Sequence, residues 1–284
     1  MKKIIAADAL KSAKKIFTDA KIDTPGLDAE VLLAEVLHTD RLSLYVHPEK
    51  ILSDEEFSRF KNFVERRAKK IPVAYIVGRK EFFGMNFFVT PEVLIPRPDT
   101  EILVQFVIDA LKNFPGAKIA DIGTGSGAIC ISILKNLPGA TAATVDISPG
   151  ALEVAKRNAE NLQLADRINF FPGNMFEPLA GKIFDCIVSN PPYIPTDEIK
   201  NLQPEVKTEP KIALDGGVDG LNFYRQLVKA APDFLSPNGL IAFEIGIGQA
   251  EEVKKIIRRN EKFCEIKILK DLSGIDRVIA ARKK

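Results

Sequence analysis

Lys118-Ile119-Ala120-Asp121-Ile122-Gly123-Thr124-Gly125-Ser126-Gly127-Ala128 joins a short apolar run to a helical pattern through a glycine-rich turn. Outward from it, short apolar runs alternate with helical periodicity. Toward the C-terminus, helical patterns cover Ala128–Leu137 and Pro149–Leu162, and strand patterns cover Thr141–Asp146, Ile168–Phe171 and Ile183–Ser189. A polar loop from Ile194 to Asp219 leads to a helix at Leu221–Phe234, a strand at Gly239–Ile245 and a helix at Gln249–Asn260. Two last strands, Cys264–Leu269 and Arg277–Ala281, flank a short polar turn and predict a terminal antiparallel hairpin. With Lys118–Ile122 this makes seven strands alternating mostly with helices, which predicts an α/β fold with a doubly wound, mostly parallel sheet.

Toward the N-terminus, a helix is expected to open near Asp99 or Thr100 and run to Phe114. Residues 72–98 read as a β-hairpin and linker: Phe82, Phe83, Phe87, Phe88 and Val89 surround Gly84, and Pro96 and Pro98 stop helix formation. Residues 1–71 read as a small helical bundle. Ala9, Leu10, Ala13, Ile16, Phe17 and Ala20 keep three- and four-residue spacing, and Ser53 with Glu56 fits a capping box. The expected division is therefore 1–71, 72–98 and 99–284.

Composition sets bounds on function. Of 284 residues, 46% are hydrophobic and 27% charged, enough to bury a core without disulfides. A formal net charge of +2 supplies no strong global field for nucleic acid or anionic membrane. Cys130, Cys186 and Cys264 sit in apolar runs and read as reduced core cysteines of a cytoplasmic protein. With only two histidines, His38 and His47, no zinc spacing arises, and no metal is expected. Met1-Lys2-Lys3-Ile4-Ile5 is not followed by a signal or membrane-spanning run. The basic runs Arg66-Arg67-Ala68-Lys69-Lys70 and Lys254-Lys255 with Arg258-Arg259 read as solvated helix faces.

Candidate site residues cluster at the ends of the expected strands. Gly123, Thr124, Gly125, Ser126 and Gly127 let a ligand approach the backbone, and the following helix N-terminus offers free N–H groups. Asp146 ends the next strand at the spacing at which a carboxylate grips ribose hydroxyls. The glycine pattern alone also satisfies a dinucleotide fingerprint. Asp121 helps decide: a carboxylate beside the loop disfavours a pyrophosphate and is of a type to help hold a cationic ligand, directly or through water. S-adenosylmethionine carries an ammonium and a sulfonium and no phosphate. Asn174, Met175 and Phe176 follow a third strand, where Met175 and Phe176 can pack on a base and Asn174 can bond its edge. Asn190-Pro191-Pro192-Tyr193 ends a fourth. It joins an amide, two stiff prolines and an aromatic ring into a grip for a planar amide or amine. Arg97, Thr100 and Glu101 are expected near the pocket entrance.

Together these residues resemble class I S-adenosylmethionine-dependent methyltransferases with a seven-stranded Rossmann-like sheet. More narrowly, the chain resembles the HemK/PrmC family of release factor glutamine methyltransferases. The resemblance runs through Leu27-Asp28-Ala29-Glu30, Pro72-Val73-Ala74-Tyr75-Ile76, Glu81-Phe82 with Gly84, and Leu94-Ile95-Pro96-Arg97-Pro98-Asp99-Thr100-Glu101. It continues through Asp121–Ile129, Ser189–Ile194 and the loop from Glu209-Pro210 to Leu221. It departs at Asn174, where an Asp is common, at Met175, where an aromatic is frequent, and at Thr208.

The resemblance implies methyl transfer to the side-chain amide nitrogen (N5) of the glutamine in the Gly-Gly-Gln loop of class I peptide chain release factors. Gly123 to Gly127, Asp146, Met175 and Asn190 would contact the cofactor, and Asn190 to Tyr193 would hold the glutamine. The expected chemistry has the Asn190 side-chain oxygen and the Pro191 carbonyl accept the two amide N–H bonds while Tyr193 stacks on the amide plane. Residues 1–71 would recognise the release factor body, and the protein would act as a monomer. One rival is an amino-methyltransferase acting on flipped-out adenine, disfavoured by the modest charge and the lack of a basic, aromatic-interleaved tract. An NAD-dependent oxidoreductase is disfavoured by Asp121, and a non-catalytic binding module by the intact strand-end motifs.

Overall fold

The computed structural model describes residues 4–284; Met1, Lys2 and Lys3 lie outside the described residues. The chain divides into two compact units. The first holds residues up to Arg79 together with Gln203–Thr208, which belong to the loop between two strands of the other unit. Its helices are α1 (Ala6–Asp19), α2 (Pro25–Val36), α3 (Arg41–Val46), α4 (Asp54–Ala68) and α5 (Val73–Val77). Ala6, Ala9, Ala13 and Phe17 from α1 meet Leu32 and Leu33 from α2 and Phe60 and Val64 from α4 in one core. Ser53 and Glu56 form the reciprocal capping box at the start of α4.

Arg67 departs from the solvated role its basic neighbours suggested. It is 6% exposed and donates from Nε to Asp28 Oδ2 at 2.7 Å and from Nη1 to Glu205 Oε1 at 2.9 Å. A buried guanidinium with two carboxylate partners ties α4 to α2 and to the visiting loop segment. Residues 73–77 also differ from the extended reading. A single helical turn forms there, framed by Pro72 before it and by Gly78 in the left-handed region (φ 75°) after it.

The second unit, from Lys80, takes in all but the first residue of a hairpin, β1 (Arg79–Phe82) and β2 (Met85–Phe88), and then helix α6 (Glu101–Leu111). The sheet comprises β3 (Lys118–Ile122), β4 (Thr141–Asp146), β5 (Ile168–Pro172), β6 (Phe184–Ser189), β7 (Leu235–Glu244), β8 (Phe263–Lys270) and β9 (Asp276–Lys283). Helices α7 (Ala128–Asn136), α8 (Pro149–Asn161), α9 (Asn222–Ala230) and α10 (Ala250–Arg259) connect them. Strand order is β5-β4-β3-β6-β7-β9-β8. All neighbours are parallel except β9, which runs antiparallel to β7 and β8 and forms the expected terminal hairpin. Strand β7 starts earlier than its apolar run suggests: Leu235 pairs with Phe184, residues 236–239 bulge out, and pairing resumes at Leu240 with Cys186.

Alternation along the strands feeds two cores. Ile119, Cys186 and Val188 face α6 and α7, whereas Ala120, Ile187 and Phe243 face α9 and α10. The sheet is thus covered on both faces, and its near-continuous apolar strands follow from that. Cys130 and Cys186 are buried and Cys264 is half-buried; all are free thiols. Strand order reverses direction between β3 and β6, and a crevice at such a switch point, beyond the carboxyl ends of the strands, is where this architecture places ligands.

Candidate functional site

The carboxyl ends of β3, β4, β5 and β6 open onto a cavity of about 210 Å³ within the sheet unit. Gly123 to Ser126 form one wall, Asp146 to Ser148 a second, Gly173 to Met175 a third, and Ser189 to Pro192 a fourth. Val93, Leu94, Pro96, Arg97 and Thr100 close it from the segment before α6. Four sequence-distant motifs therefore share one space.

The glycine loop is pinned to β4: the N–H groups of Gly123 and Thr124 both donate to the Val145 carbonyl, at 2.8 and 3.1 Å. Gly127 caps α7 at φ 79°, and a Cβ there would stand 2.9 Å from Ile131 Cδ1 and 3.2 Å from the Ala155 Cβ. It is behind the wall and not on it; its smallness lets α7 and α8 approach. Asp146 accepts from the Gly125 N–H at 2.8 Å and the Ser148 N–H at 2.9 Å, so the loop and the start of α8 are locked to one carboxylate. Burial raises its pKa.

Asp121 also stands behind the loop. It is fully buried, and its Oδ2 accepts from the Thr124 hydroxyl at 2.8 Å. Its Oδ1 has no hydrogen-bond partner among the described residues. Burial, opposed by the Thr124 bond, pushes its carboxyl up to about 6. Asp121 is absent from the cavity wall, so the expected direct hold on a ligand is not formed; its unpaired buried oxygen is costly on its own, and what it offers the site is negative charge behind the glycine loop.

At the third strand end, Met175 lines the cavity in the left-handed backbone region (φ 50°). Asn174 lines it as well, but its Nδ2 donates to Glu177 Oε1 at 3.1 Å. Phe176 does not reach the cavity; it is buried and stacks on Phe234 with ring centroids 4.7 Å apart. The expectation that Phe176 packs on a base is therefore set aside: the apolar surface here is Met175.

At the fourth strand end, Ser189 Oγ donates to the Ile122 carbonyl at 2.6 Å and clamps β6 to β3. Asn190 Nδ2 donates to Thr100 Oγ1 at 3.2 Å, and Thr100 Oγ1 donates to Glu244 Oε2. Asn190, Pro191 and Pro192 line the cavity. Tyr193 does not. Its hydroxyl donates to Glu244 Oε1 at 3.3 Å and its carbonyl accepts from Gln249 Nε2 at 2.9 Å. Burial, with the Glu244 charge beside it, raises the Tyr193 pKa. The ring is thus held toward the inner core, in place of the expected stacking platform. Glu244, 2% exposed at the end of β7, was not singled out from sequence, although an acid closing an apolar strand run is a signal. Its carboxyl is pushed up to about 6 by burial, against the bonds from Thr100 and Tyr193.

The two charged entrance candidates behave differently. Arg97 lines the cavity, donates from Nη1 to the Ile95 carbonyl at 2.9 Å and pairs through Nη2 with Glu209. Glu209, 5% exposed, accepts the Ile95 N–H at 3.0 Å, so Arg97 braces the rim. Glu101 is not on the cavity wall; its carboxylate accepts the Phe83 N–H at 2.8 Å and anchors the hairpin turn. Among the described residues no cluster of three or more His, Cys, Asp or Glu could hold a metal, and no helix is long and apolar enough to cross a membrane.

Residues 8–78 match the family described as PrmC N-terminal domain, and residues 99–207 match the methyltransferase small domain. A protein of Geobacter sulfurreducens named release factor glutamine methyltransferase is 48% identical over 92% of this chain and 90% of its own length. One of the same name from Moorella thermoacetica is 41% identical over 97% of this chain and 98% of its own. Among solved structures, a methyltransferase from Pyrococcus furiosus superposes with a TM-score of 0.52 at 18% identity, covering 81% of this chain and 99% of that one. The hMettl16 catalytic domain superposes with a TM-score of 0.58 at 18% identity, covering 82% and 84%. These two likenesses concern the fold.

Proposed function

From the premise that the chain belongs to the release factor glutamine methyltransferase family, we propose that it methylates the N5 side-chain amide of the glutamine in the Gly-Gly-Gln loop of class I release factors. The observation that carries this reading is that Asn190 and Pro191 stand on the wall of the same cavity as Gly123–Ser126 and Asp146. Acceptor and donor subsites then adjoin. Adenine methylation is not favoured: the full-length relatives carry the glutamine methyltransferase name.

The methyl donor is S-adenosylmethionine, which supplies an electrophilic methyl group on a cationic sulfur. The residues present fit it. Asp121 sets a buried carboxylate behind the glycine loop, a charge that suits a cationic ligand without touching it, and Asp146 keeps lone pairs for ribose hydroxyls beyond its two backbone bonds. Gly123 and Gly125 leave open space where side chains would stand, and Met175 offers the apolar surface for adenine.

A primary amide nitrogen is a weak nucleophile because its lone pair is delocalised into the carbonyl. The work of Asn190 and Pro191 is therefore alignment. The Asn190 side-chain oxygen and the Pro191 carbonyl accept the two N–H bonds, which aims the nitrogen and favours the positive charge that develops on it. Alignment of this kind is worth about 7–11 kcal/mol in favourable cases. No strong base is needed, because the amide becomes acidic once it is cationic. Pro191 and Pro192 keep the backbone from yielding.

Mass spectrometry of release factor incubated with the protein and S-adenosylmethionine tests the reading: one methyl group should appear on the Gly-Gly-Gln glutamine, and Asn190→Ala should abolish it at saturating donor. Near-normal transfer by Asn190→Ala would count against the mechanism. Residues 1–71 serve recognition of the release factor body in this reading, supported by the PrmC N-terminal domain match. Deleting them should then reduce kcat/KM for whole release factor more than for a short Gly-Gly-Gln peptide; equal losses would refute it. The reading takes the protein as a cytoplasmic monomer, which sedimentation checks.

A further inference from the structure

We propose that Thr100 and Glu244 are positioning residues that determine which end of the Asn190 amide faces the cavity, and thereby make the strand end an acceptor for a primary amide. The inference rests on the glutamine methyltransferase reading above. An asparagine side chain offers a donor end and an acceptor end of nearly equal size, and only its partners decide which way it points. A Glu244 carboxylate can only accept. Thr100 has one hydroxyl proton, and it goes to Glu244 Oε2. What remains on Thr100 Oγ1 is lone pairs, and Asn190 meets them at 3.2 Å. The group placed there must be the Asn190 NH₂, which leaves the Asn190 oxygen for the substrate. The reversed amide would set N–H against N–H and repel the glutamine.

Glu244 is held in turn. Tyr193 donates to its other oxygen at 3.3 Å, and the Tyr224 hydroxyl donates to its main-chain carbonyl at 3.0 Å. Asp99 and Arg277 are the charged groups that act on it, the first raising and the second lowering its pKa. They pair with each other at 2.9 Å, and Arg277 is further bonded to Asp271 at 2.9 Å. With burial dominant, the carboxyl titrates at about 6. A protonated Glu244 can donate to Thr100, which frees the Thr100 proton to turn toward Asn190 and removes the preference for either amide end. The chain Glu244–Thr100–Asn190 thus predicts an acid limb in kcat. Asp121 titrates in the same range but belongs to the donor side, so saturating S-adenosylmethionine separates the two.

The test uses the full chain, whole release factor and saturating S-adenosylmethionine. Thr100→Val should lower kcat at least tenfold while the dissociation constant for S-adenosylmethionine, read by calorimetry, stays within threefold. Thr100→Ser, which keeps the hydroxyl, should recover most of the loss. Wild-type kcat should fall below pH 6 with a single-proton slope, and Glu244→Gln should be slower but without that limb. A folded Thr100→Val with kcat within twofold of wild type overturns the inference. So does an unchanged acid limb in Glu244→Gln, which decides the matter if Thr100→Val does not fold. A wild-type protein that leaves the Gly-Gly-Gln glutamine unmethylated overturns the substrate reading and this inference with it; an active wild type with an indifferent Thr100→Val overturns this inference alone.

Discussion

Replacing Asp121 by Asn should make the ligand-free protein relatively more stable at neutral pH than at acid pH, and should weaken its hold on S-adenosylmethionine. Asp121 is fully buried, carries one bond from Thr124, and has a carboxyl pushed from an ordinary 3.8 to about 6. The gap is about 2 pKa units, and at about 1.4 kcal/mol each it amounts to about 3 kcal/mol. The sign follows from proton linkage. An acid whose folded pKa lies above its unfolded one binds its proton more tightly when folded. Its contribution is fully present below pH 3.8 and is lost as pH rises through about 6. At pH 7.5 the folded wild type therefore carries nearly the whole penalty of about 3 kcal/mol, and at pH 5 about half of it.

Asparagine does not ionise, so the penalty disappears, but its NH₂ takes the place of the unpaired Oδ1 and costs about 1–3 kcal/mol of its own. That second cost does not depend on pH. The stability of Asp121→Asn relative to wild type should consequently fall by about 1–2 kcal/mol between pH 7.5 and pH 5. The chain has no tryptophan, so urea unfolding is followed by circular dichroism at both pH values. S-adenosylmethionine should bind the variant at least tenfold more weakly, because the carboxylate that suits a cation is gone. A mutant-minus-wild-type difference that is the same at both pH values would refute the reasoning, whatever its sign.

Two further outcomes follow from close contacts. Arg67→Met should cost about 3–5 kcal/mol, read by thermal or urea unfolding, because it strands the buried carboxylate of Asp28 and removes a partner of Glu205. Gly220→Ala should lower kcat several-fold with little change in S-adenosylmethionine affinity. A Cβ at this left-handed position (φ 72°) would stand 2.3 Å from the Tyr193 carbonyl oxygen, so the segment after Asn190 must shift.

Much of the fold was legible because each strand of the sheet unit is an apolar run bounded by turn residues, and periodicity reports that directly. The exceptions have local physical causes. Val73–Val77 is rich in β-branched residues, which favour extended structure, yet Pro72 and Gly78 supply both caps of a single turn. The start of β7 is hidden because Ser236 to Gly239 leave the ladder as a bulge, which interrupts the apolar pattern that marks a strand. Arg67 looks like part of a solvated basic run, since nothing local announces that Asp28 and Glu205, 39 and 138 residues away, will enclose it.

The site was legible to the extent that its chemistry resides in contiguous motifs. Gly123 to Gly127 and Asn190 to Tyr193 announce a backbone that a ligand can approach and a stiff amide grip, and the sheet brings both to one cavity. What sequence spacing cannot show is orientation. Tyr193 has the right type for stacking on an amide, but whether its ring faces the cavity or the core depends on Glu244, which is 51 residues distant in the chain. The same carboxylate receives the Thr100 hydroxyl from 144 residues away and so reaches Asn190 as well. One buried acid on β7 therefore controls the presentation of two members of the four-residue motif that follows β6. The motif by itself specifies a grip for some planar nitrogen. Its donor–acceptor polarity, and with it the fit to an amide that brings two N–H groups, is supplied by residues outside it.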